Sequence, residues 1–189
     1  MEIRELKAEA KDRVELQRHQ LVQLSINIHD NPELGFEEEK ASAWLTGYLE
    51  ESGFSIEQSI ASLATAFRAT YGRGSPRIAL LAEYDALPKI GHACGHNIIA
   101  ASAVGAAVAS TSIIDQLGGS VVVLGTPGEE ILGGKIDIVK AGAFKGIDVA
   151  MIVHPNTLNM VKVQTLACSP LEVEFFGQPA HAAAQPYEG

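Results

Sequence analysis

Three apolar segments of the sequence are each followed by side chains that can bind a metal ion or move a proton. The segments are RIALLA (77–82), SVVVLG (120–125) and DVAMIV (148–153). The side chains that follow them are Asp85, Cys94, His96, Glu129, Glu130 and His154. Ligands in open α/β sheets bind beyond the carboxyl ends of the strands. If these segments are parallel strands of one sheet, their side chains meet at one edge, and we predict a common site there.

The chemistry of this set favours a metal centre. Imidazole and thiolate ligands suit zinc, and a carboxylate-rich set also accepts manganese or cobalt. Cys94 and His96 are separated by one glycine and lead into a predicted helix, whose positive end favours a thiolate. Of the adjacent Glu129 and Glu130, one can bind metal while the other takes a proton from metal-bound water. Asp85 can hydrogen-bond a ligand imidazole and fix its tautomer.

Each of these residues also has an ordinary structural explanation. A lone cysteine among alanines is usually a small buried hydrophobe, and two glutamates at a helix start often only complement the helix dipole. A histidine after an apolar strand can be a hydrogen-bonded core residue. The metal centre is favoured because all these separate explanations would have to hold at one sheet edge. We expect His19 and His29 on the surface and a structural role for Cys168.

Three rival sites explain the pattern less well. In GEEILGGK, phosphate-loop spacing places Glu129 where the first glycine belongs and Ile136 where serine or threonine belongs. No G-x-G-x-x-G follows a predicted strand, so a dinucleotide site is unsupported. A Cys94 nucleophile paired with His92 or His96 is an alternative that predicts activity in the presence of chelators. It leaves both glutamates and the last histidine of the set without a role.

The elements that must position the site alternate between helix and strand. Helices are predicted at 3–29, 37–52, 98–116 and 133–142, and strands at 62–70, 77–82, 120–125 and 148–153. Continuous apolar runs divided by helices are typical of a buried parallel sheet. The last three strands form a βαβαβ unit, so we predict an α/β fold with a mostly parallel sheet flanked by helices.

The composition excludes several classes of protein. The chain has 189 residues, of which 47% are apolar and 20% charged, as in globular proteins. A net charge of −9 disfavours nucleic-acid binding. The uncharged run 97–114 is rich in Ala, Ser and Gly, so we expect a buried helix and no membrane association. Two cysteines and a charged N-terminus without a secretory signal predict a cytoplasmic location.

The sequence changes character after residue 160. Residues 161–176 predict one or two extended strands, and AHAAA in the following GQPAHAAAQPYEG predicts a helix start. A strand near 171–176 needs partners, and no later strand is supplied. We therefore predict one domain over 1–167 and the incomplete beginning of a second over 168–189.

Five ordered motifs resemble those of metallopeptidase family M-twenty. They are HDNPELGFEEEKAS, LLAEYDALPKIGHACGHN, GTPGEE, the later His154, and GQPAHAAAQP. The branch resembled is the aminoacylase, hippurate hydrolase and auxin-conjugate amidohydrolase group. Within it, EYDALP with CGHN is similar to aminobenzoyl-glutamate hydrolase and the β-alanyl-lysine dipeptidase-like proteins. The resemblance implies a zinc-peptidase-like catalytic domain followed by an α+β lid domain that forms a homodimer.

The resemblance also implies an activity, a binuclear amidohydrolase that acts on an N-acyl amino acid, an aminobenzoyl-glutamate-like amide or a dipeptide. Its two divalent metals, zinc or manganese, would be bridged by the cysteine of the CGHN motif. The implied metal ligands are Cys94, His96, Glu130 and His154. The implied catalytic residues are Glu129 as general base and His181, which helps to polarise the scissile carbonyl and in many relatives reaches across a dimer. Asp85 would support a ligand without touching metal.

The chain departs from the family pattern in three ways. Asn97 and Glu83 stand where Asp is usual, and both fit the aminobenzoyl-glutamate-like subgroup. Family members are much longer, and a C-terminal metal-ligand histidine that shares a metal with Glu130 lies outside this sequence. We therefore expect the chain alone to hold one of the two metals and to be inactive. The alternative is a truncated, non-catalytic metal-binding or interaction module.

Overall fold

The computed structural model describes residues 2–131, 133–161, 171 and 173–189. The chain divides into two compact units, Met1–Asn156 and Thr157–Gly189. The domain boundary predicted between residues 167 and 168 lies outside the described residues. The division into 1–167 and 168–189 therefore stays a prediction.

The first unit alternates helices and strands. Its helices are α1 (Ile3–Leu16), α2 (Arg18–Asp30), α3 (Glu39–Glu51), α4 (His96–Leu117) and α5 (Gly134–Lys140), with a short 3-10 helix at Ile60–Ser62. Its strands are β1 (Ser55–Gln58), β2 (Phe67–Arg73), β3 (Arg77–Ala82), β4 (Gly119–Gly125) and β5 (Val149–Met151). This order confirms the predicted α/β class.

The five strands form one mixed sheet in the order β1-β2-β4-β3-β5. The predicted βαβαβ unit is present, because β3 pairs in parallel with both β4 and β5. The sheet is mixed rather than mostly parallel, since β1–β2 and β2–β4 are antiparallel. The chain leaves β3 for β4 on one side and then crosses back to β5 on the other. The carboxyl end of β3 therefore lies at a topological switch point, where α/β proteins bind ligands.

The core covers both faces of β4. Val121 and Val123 belong to a large apolar cluster with residues of α2, α3 and α4, while Val122 and Leu124 belong to a smaller cluster on the opposite face. This alternation follows from the two-residue period of a strand. By length and composition α4 is apolar enough to cross a membrane, but half of its most apolar window is buried inside the protein. It is the buried helix that the sequence predicts.

The N-terminal helix predicted at 3–29 is two helices that meet at Gln17. The Gln17 side chain accepts a hydrogen bond from the Tyr48 hydroxyl and donates one to the Arg13 carbonyl at 2.9 Å. The start of α3 is capped by Glu33, whose carboxylate accepts the amide of Lys40 and that of the next residue, each at 3.0 Å. This carboxylate replaces the missing N-cap side chain.

The second unit differs from its prediction. Leu171 and residues 173–176, which the sequence predicts as strand, adopt no regular secondary structure, and the predicted helix start is a turn at 182–184. The strands were predicted over 161–176, and residues 162–170 and 172 lie outside the described residues. The physical reason is that a strand is stabilised by hydrogen bonds to a neighbour, and no described residue of this unit pairs as a strand.

Candidate metal centre

His96 begins α4 and is fully buried. Its Nδ1 lies 2.9 Å from both the carbonyl oxygen and Oδ1 of Asp85. Both partners accept hydrogen bonds, so in the neutral imidazole Nδ1 carries the proton and Nε2 presents a lone pair. Burial alone would lower the pKa of His96, but Asp85 and the nearby carboxylates raise it above its ordinary value. A metal ion would bind to Nε2 through this lone pair.

Asp85 also fixes the loop after β4. Its second oxygen, Oδ2, accepts the backbone amide of Glu130 at 2.9 Å. Burial would raise the pKa of Asp85, but its hydrogen bonds to His96 and to this amide hold it below the ordinary value. An ionised Asp85 therefore links the ends of β3 and β4 and sets the orientation of a candidate ligand on each.

His154 and Cys94 face each other beside His96. Nδ1 of His154 donates to the Pro155 carbonyl at 2.8 Å, so in the neutral ring Nε2 carries the lone pair, and it lies 3.6 Å from Sγ of Cys94. Gly95 has a φ of 85°, and a Cβ there would lie 3.0 Å from Pro155. Only glycine adopts this conformation readily and leaves room for the histidine loop.

Three glutamates surround Nε2 of His96. Their nearest oxygens lie at 3.5 Å for Glu83, 3.8 Å for Glu129 and 3.8 Å for Glu130. These separations are too long for good hydrogen bonds. The ligand atoms of His96, Glu129 and Glu130 lie within 4.8 Å of one another, as do those of Cys94, His96 and His154. His96 thus belongs to both groups of donors.

The donors fit a divalent metal. Nε2 of His96, Oε2 of Glu83 and Oε1 of Glu130 are buried and have no hydrogen-bond partner among the described residues. Buried polar atoms are normally paired, and all three of these atoms face the same space. Imidazole, thiol and carboxylate donors are the set that zinc and manganese accept. A cation at this place would satisfy all three atoms.

Two pKa shifts bear on the chemistry. Burial, and then Glu130 and the neighbouring carboxylates, raise the pKa of the Cys94 thiol to about 12. A cysteine nucleophile needs a lowered pKa, so this setting disfavours the cysteine-nucleophile alternative. Burial, and then the charge of Glu83, raise the pKa of Glu129 above its ordinary value, although its side chain is 41% exposed. An exposed carboxylate with a raised pKa suits a general base.

The loop that carries the two glutamates is held by a buried carboxylate that precedes α3. Glu38 is fully buried, and its two oxygens accept the Gly128 amide and the Thr65 hydroxyl, each at 2.8 Å. Gly128 has a φ of 65°, and a Cβ there would lie 2.6 Å from the ring of Phe36. The sequence between α2 and α3 therefore shapes the loop that presents Glu129.

The structure brings the six residues singled out after the apolar segments to one edge of the sheet. They are Asp85, Cys94, His96, Glu129, Glu130 and His154. His181 belongs to the second unit, where its Nδ1 accepts two backbone amides. Its role stays a prediction, and Cys168 lies outside the described residues. His19 and His29 are exposed, as expected.

Sequence reasoning missed Glu38 and Lys135 and gave Glu83 no part in the site. Lys135 donates to Glu83, and Glu38 holds the loop at Gly128. The signal for Glu83 was its place directly after β3, at the same edge as the chosen residues. Nothing in the spacing of Glu38 or Lys135 indicated a partner.

The fold and the site together define an α/β domain with a metal centre at the carboxyl edge of its sheet. No family model matches the chain. Over 203 aligned positions it is 38% identical to the Xaa-Arg dipeptidase of Mus musculus, covering 100% of this chain and 47% of that protein. It is 35% identical to a p-aminobenzoyl-glutamate hydrolase polypeptide of Escherichia coli (strain K12), covering 94% of this chain and 41% of that protein.

A solved structure shows the same relation. A dinuclear metal-binding peptidase of family M-twenty from Bacillus subtilis matches with a TM-score of 0.64 and 29% identity, over 72% of this chain and 42% of that chain. The chain is thus homologous to the N-terminal part of the family M-twenty peptidases, which confirms the resemblance seen in the motifs. It spans less than half the length of each of these relatives.

Proposed function

We propose that the protein is a metal-dependent amidohydrolase that cleaves an N-acyl amino acid, an aminobenzoyl-glutamate-like amide or a dipeptide. The observation that carries this proposal is the buried His96, whose tautomer Asp85 fixes so that Nε2 faces three carboxylates. The relatives named above, two of them a dipeptidase and an amide hydrolase, support the substrate class.

The same proposal assigns the metal ligands. Cys94, His96, Glu130 and His154 would hold the two divalent ions, zinc or manganese. The ligand atoms of Cys94, His96 and His154 lie within 4.8 Å of one another, which supports their binding to one ion. When bound, the metals supply Lewis acidity that polarises an amide carbonyl and acidifies water.

Glu129 is the proton carrier in this mechanism. Its carboxylate would accept a proton from the attacking water and deliver it to the amide nitrogen, so that the C–N bond breaks and a neutral amine leaves. His96 and His154 keep their ring orientations during these steps, because each is hydrogen-bonded to a backbone carbonyl. The partly exposed side chain of Glu129 supports its access to substrate and water.

The motifs assign one further catalytic residue, His181. The proposal gives His181 the task of polarising the scissile carbonyl, across a homodimer formed by the lid domain. The motif GQPAHAAAQP supports this assignment. A cytoplasmic location belongs to the same proposal, since Cys94 is a free thiol.

The test is the substitution Glu129→Gln in the whole protein, with hydrolysis of N-acetyl amino acids, dipeptides and p-aminobenzoyl-glutamate followed by amine release. Loss of a positioned general base lowers kcat about a hundredfold or more. Glu50→Gln, at an exposed glutamate on α3, is the matched control and keeps the wild-type rate. An unchanged kcat in Glu129→Gln would overturn the mechanism.

One observation favours the non-catalytic alternative. The residues that follow β3 in the sheet order, Val149 and Met151 of β5, are about half exposed at 48% and 47%. An apolar edge strand of this kind favours association with another chain or segment. Hydrolysis by the 189-residue chain at the rate of its relatives would exclude this alternative.

A further inference from the structure

Glu83 is a buried carboxylate with one satisfied oxygen and one free oxygen. It directly follows β3 and is 4% exposed. Its Oε1 accepts a hydrogen bond from the Lys135 ammonium. Its Oε2 has no hydrogen-bond partner among the described residues and lies 3.5 Å from Nε2 of His96, which also has none. The free oxygen therefore points into the space between the candidate ligands.

An ordinary buried ion pair would look different. Leaving a buried carboxylate oxygen unpaired is costly, so structural ion pairs usually satisfy both oxygens. An arginine can bind both oxygens of a carboxylate through its fork, whereas a lysine is a single-point donor. Lys135 holds one oxygen of Glu83 and leaves the other available.

The negative charges around His96 also favour a cation beside Glu83. The carboxylates of Glu83, Asp85, Glu129 and Glu130 lie around His96. Among the described residues, Lys135 is the lysine that forms an ion pair with one of them, Glu83. Negative charges this close repel one another strongly in a buried setting. A divalent cation beside Oε2 of Glu83 would offset the excess, and the lysine would keep the carboxylate aimed at it.

We propose that Glu83 is a further metal-facing carboxylate of the centre and that Lys135 is the positioning residue that holds it there. This inference rests on the proposed function only in placing a divalent metal at the cluster. Glu83 is absent from the ligand set that the motifs imply. It adds a donor from the end of β3, the strand between β4 and β5. Lys135 acts from the second residue of α5 and donates its hydrogen bond to Glu83.

The experiment measures Co²⁺ binding by the purified protein, by equilibrium dialysis and by the visible absorption spectrum. The variants are Glu83→Gln and Lys135→Met, with Lys140→Met as the matched control. Lys140 lies on the same helix, and its side chain is 73% exposed. Loss of a supporting partner typically weakens metal affinity by about tenfold to a hundredfold. We expect at least about a tenfold weakening in both test variants and a wild-type Kd in the control.

The visible spectrum separates a role at the metal from a merely structural one. A changed donor set alters the ligand-field bands of bound Co²⁺, whereas a loosened fold with the same donors does not. Changed bands in Glu83→Gln together with weaker binding support the proposal. Wild-type affinity and bands in both test variants overturn it and leave the proposed hydrolase function standing.

Misfolding of a variant, or a complete absence of metal binding, also gives a decision. If Glu83→Gln does not fold, as judged by circular dichroism, the decision rests on Lys135→Met, because that side chain is already 27% exposed. Wild-type Co²⁺ binding by the folded Lys135→Met variant then overturns the proposal. If the wild-type protein and Cys94→Ala both bind no metal, the inference and the metal-dependent function fail together.

Discussion

At the scale of the residue, the decisive feature is which ring nitrogen of His96 carries the proton. His96 donates from Nδ1 to Asp85, and this leaves Nε2 as a lone pair among carboxylates. An amide at position 85 can donate as well as accept. It would allow the opposite tautomer, in which an N–H occupies the place of the metal bond.

We predict that Asp85→Asn weakens zinc affinity by about tenfold to a hundredfold. The measurement is equilibrium dialysis against a buffered zinc series. Asp12→Asn, at an exposed aspartate on α1, is the control and keeps the wild-type Kd. An equal Kd in Asp85→Asn, with the fold intact, would show that the tautomer of His96 does not matter.

A second prediction at this scale concerns pH. Burial raises the pKa of Glu38 above its ordinary value, against its hydrogen bonds to Thr65 and Gly128. The folded state therefore holds this proton more tightly than the unfolded state. The stability gained from the neutral form is present at low pH and is lost as pH rises through the folded-state pKa.

The measurement is the free energy of unfolding of the wild type and of Glu38→Gln, by urea titration between acid and neutral pH. The difference, wild type minus variant, falls as pH rises above about 4.3, the usual pKa of a glutamate. The variant removes the titrating group and keeps its shape. A difference that stays flat over this range, or that rises, contradicts the assignment.

At the scale of the element, loops from three parts of the chain are fixed to one another at the sheet edge. Asp85 holds the backbone of Glu130, and Glu38 holds Gly128, so the loop after β4 is tied on both sides. The tie at Gly128 also needs a left-handed backbone and the absence of a Cβ beside Phe36. The geometry of the loop thus depends on the segment between α2 and α3.

We predict that Gly128→Ala lowers the free energy of unfolding by about 1–3 kcal/mol through backbone strain and overpacking. It also weakens metal binding, because the loop carrying Glu129 must move. Gly47→Ala is the control, since a Cβ at this position in α3 meets nothing within 4 Å. The control is expected to gain about 0.5–1 kcal/mol from helix propensity. Equal stability changes in the two variants would contradict the prediction.

At the scale of the whole molecule, the site draws on the carboxyl ends of all three parallel strands and on no single motif. Sequence reasoning located β3 and β4 because their apolar runs are buried on both faces. It missed β1, since SIEQ is mostly exposed and has no apolar run. Sequence reasoning also predicted α1 and α2 as one helix. The two helices meet at Gln17, whose side chain accepts a hydrogen bond from Tyr48.

The candidate site, like the fold, was predictable only where it depends on local sequence. Ligand types directly after strands were visible in the sequence, so the cluster around His96 was expected. The supporting contacts were not, because Glu38 and Gly128 are 90 residues apart and Glu83 and Lys135 are 52 apart. Such pairs are set by the register and packing of the elements between them. The spacing of residues within a short segment therefore does not indicate either of these two pairs.

The prediction at this scale is the metal content. We expect elemental analysis of the 189-residue chain to find one metal ion per chain, since Cys94, His96 and His154 form one group of donors. Cys94→Ala is expected to lose it, and His19→Ala, at an exposed histidine, is expected to keep it. Retention of metal by Cys94→Ala would exclude the cysteine as a ligand.

Asp85 has a consequence for how the centre comes apart. One of its oxygens holds the ring of His96 and the other holds the backbone of Glu130, so both candidate ligands depend on the torsion angles of a single short side chain. A rotation of this side chain loosens the ring and the loop at once, while the Asp85 carbonyl still accepts from the ring and Glu38 still holds Gly128. The two ligands are therefore expected to loosen together, and Asp85→Asn is expected to speed the removal of metal by a chelator.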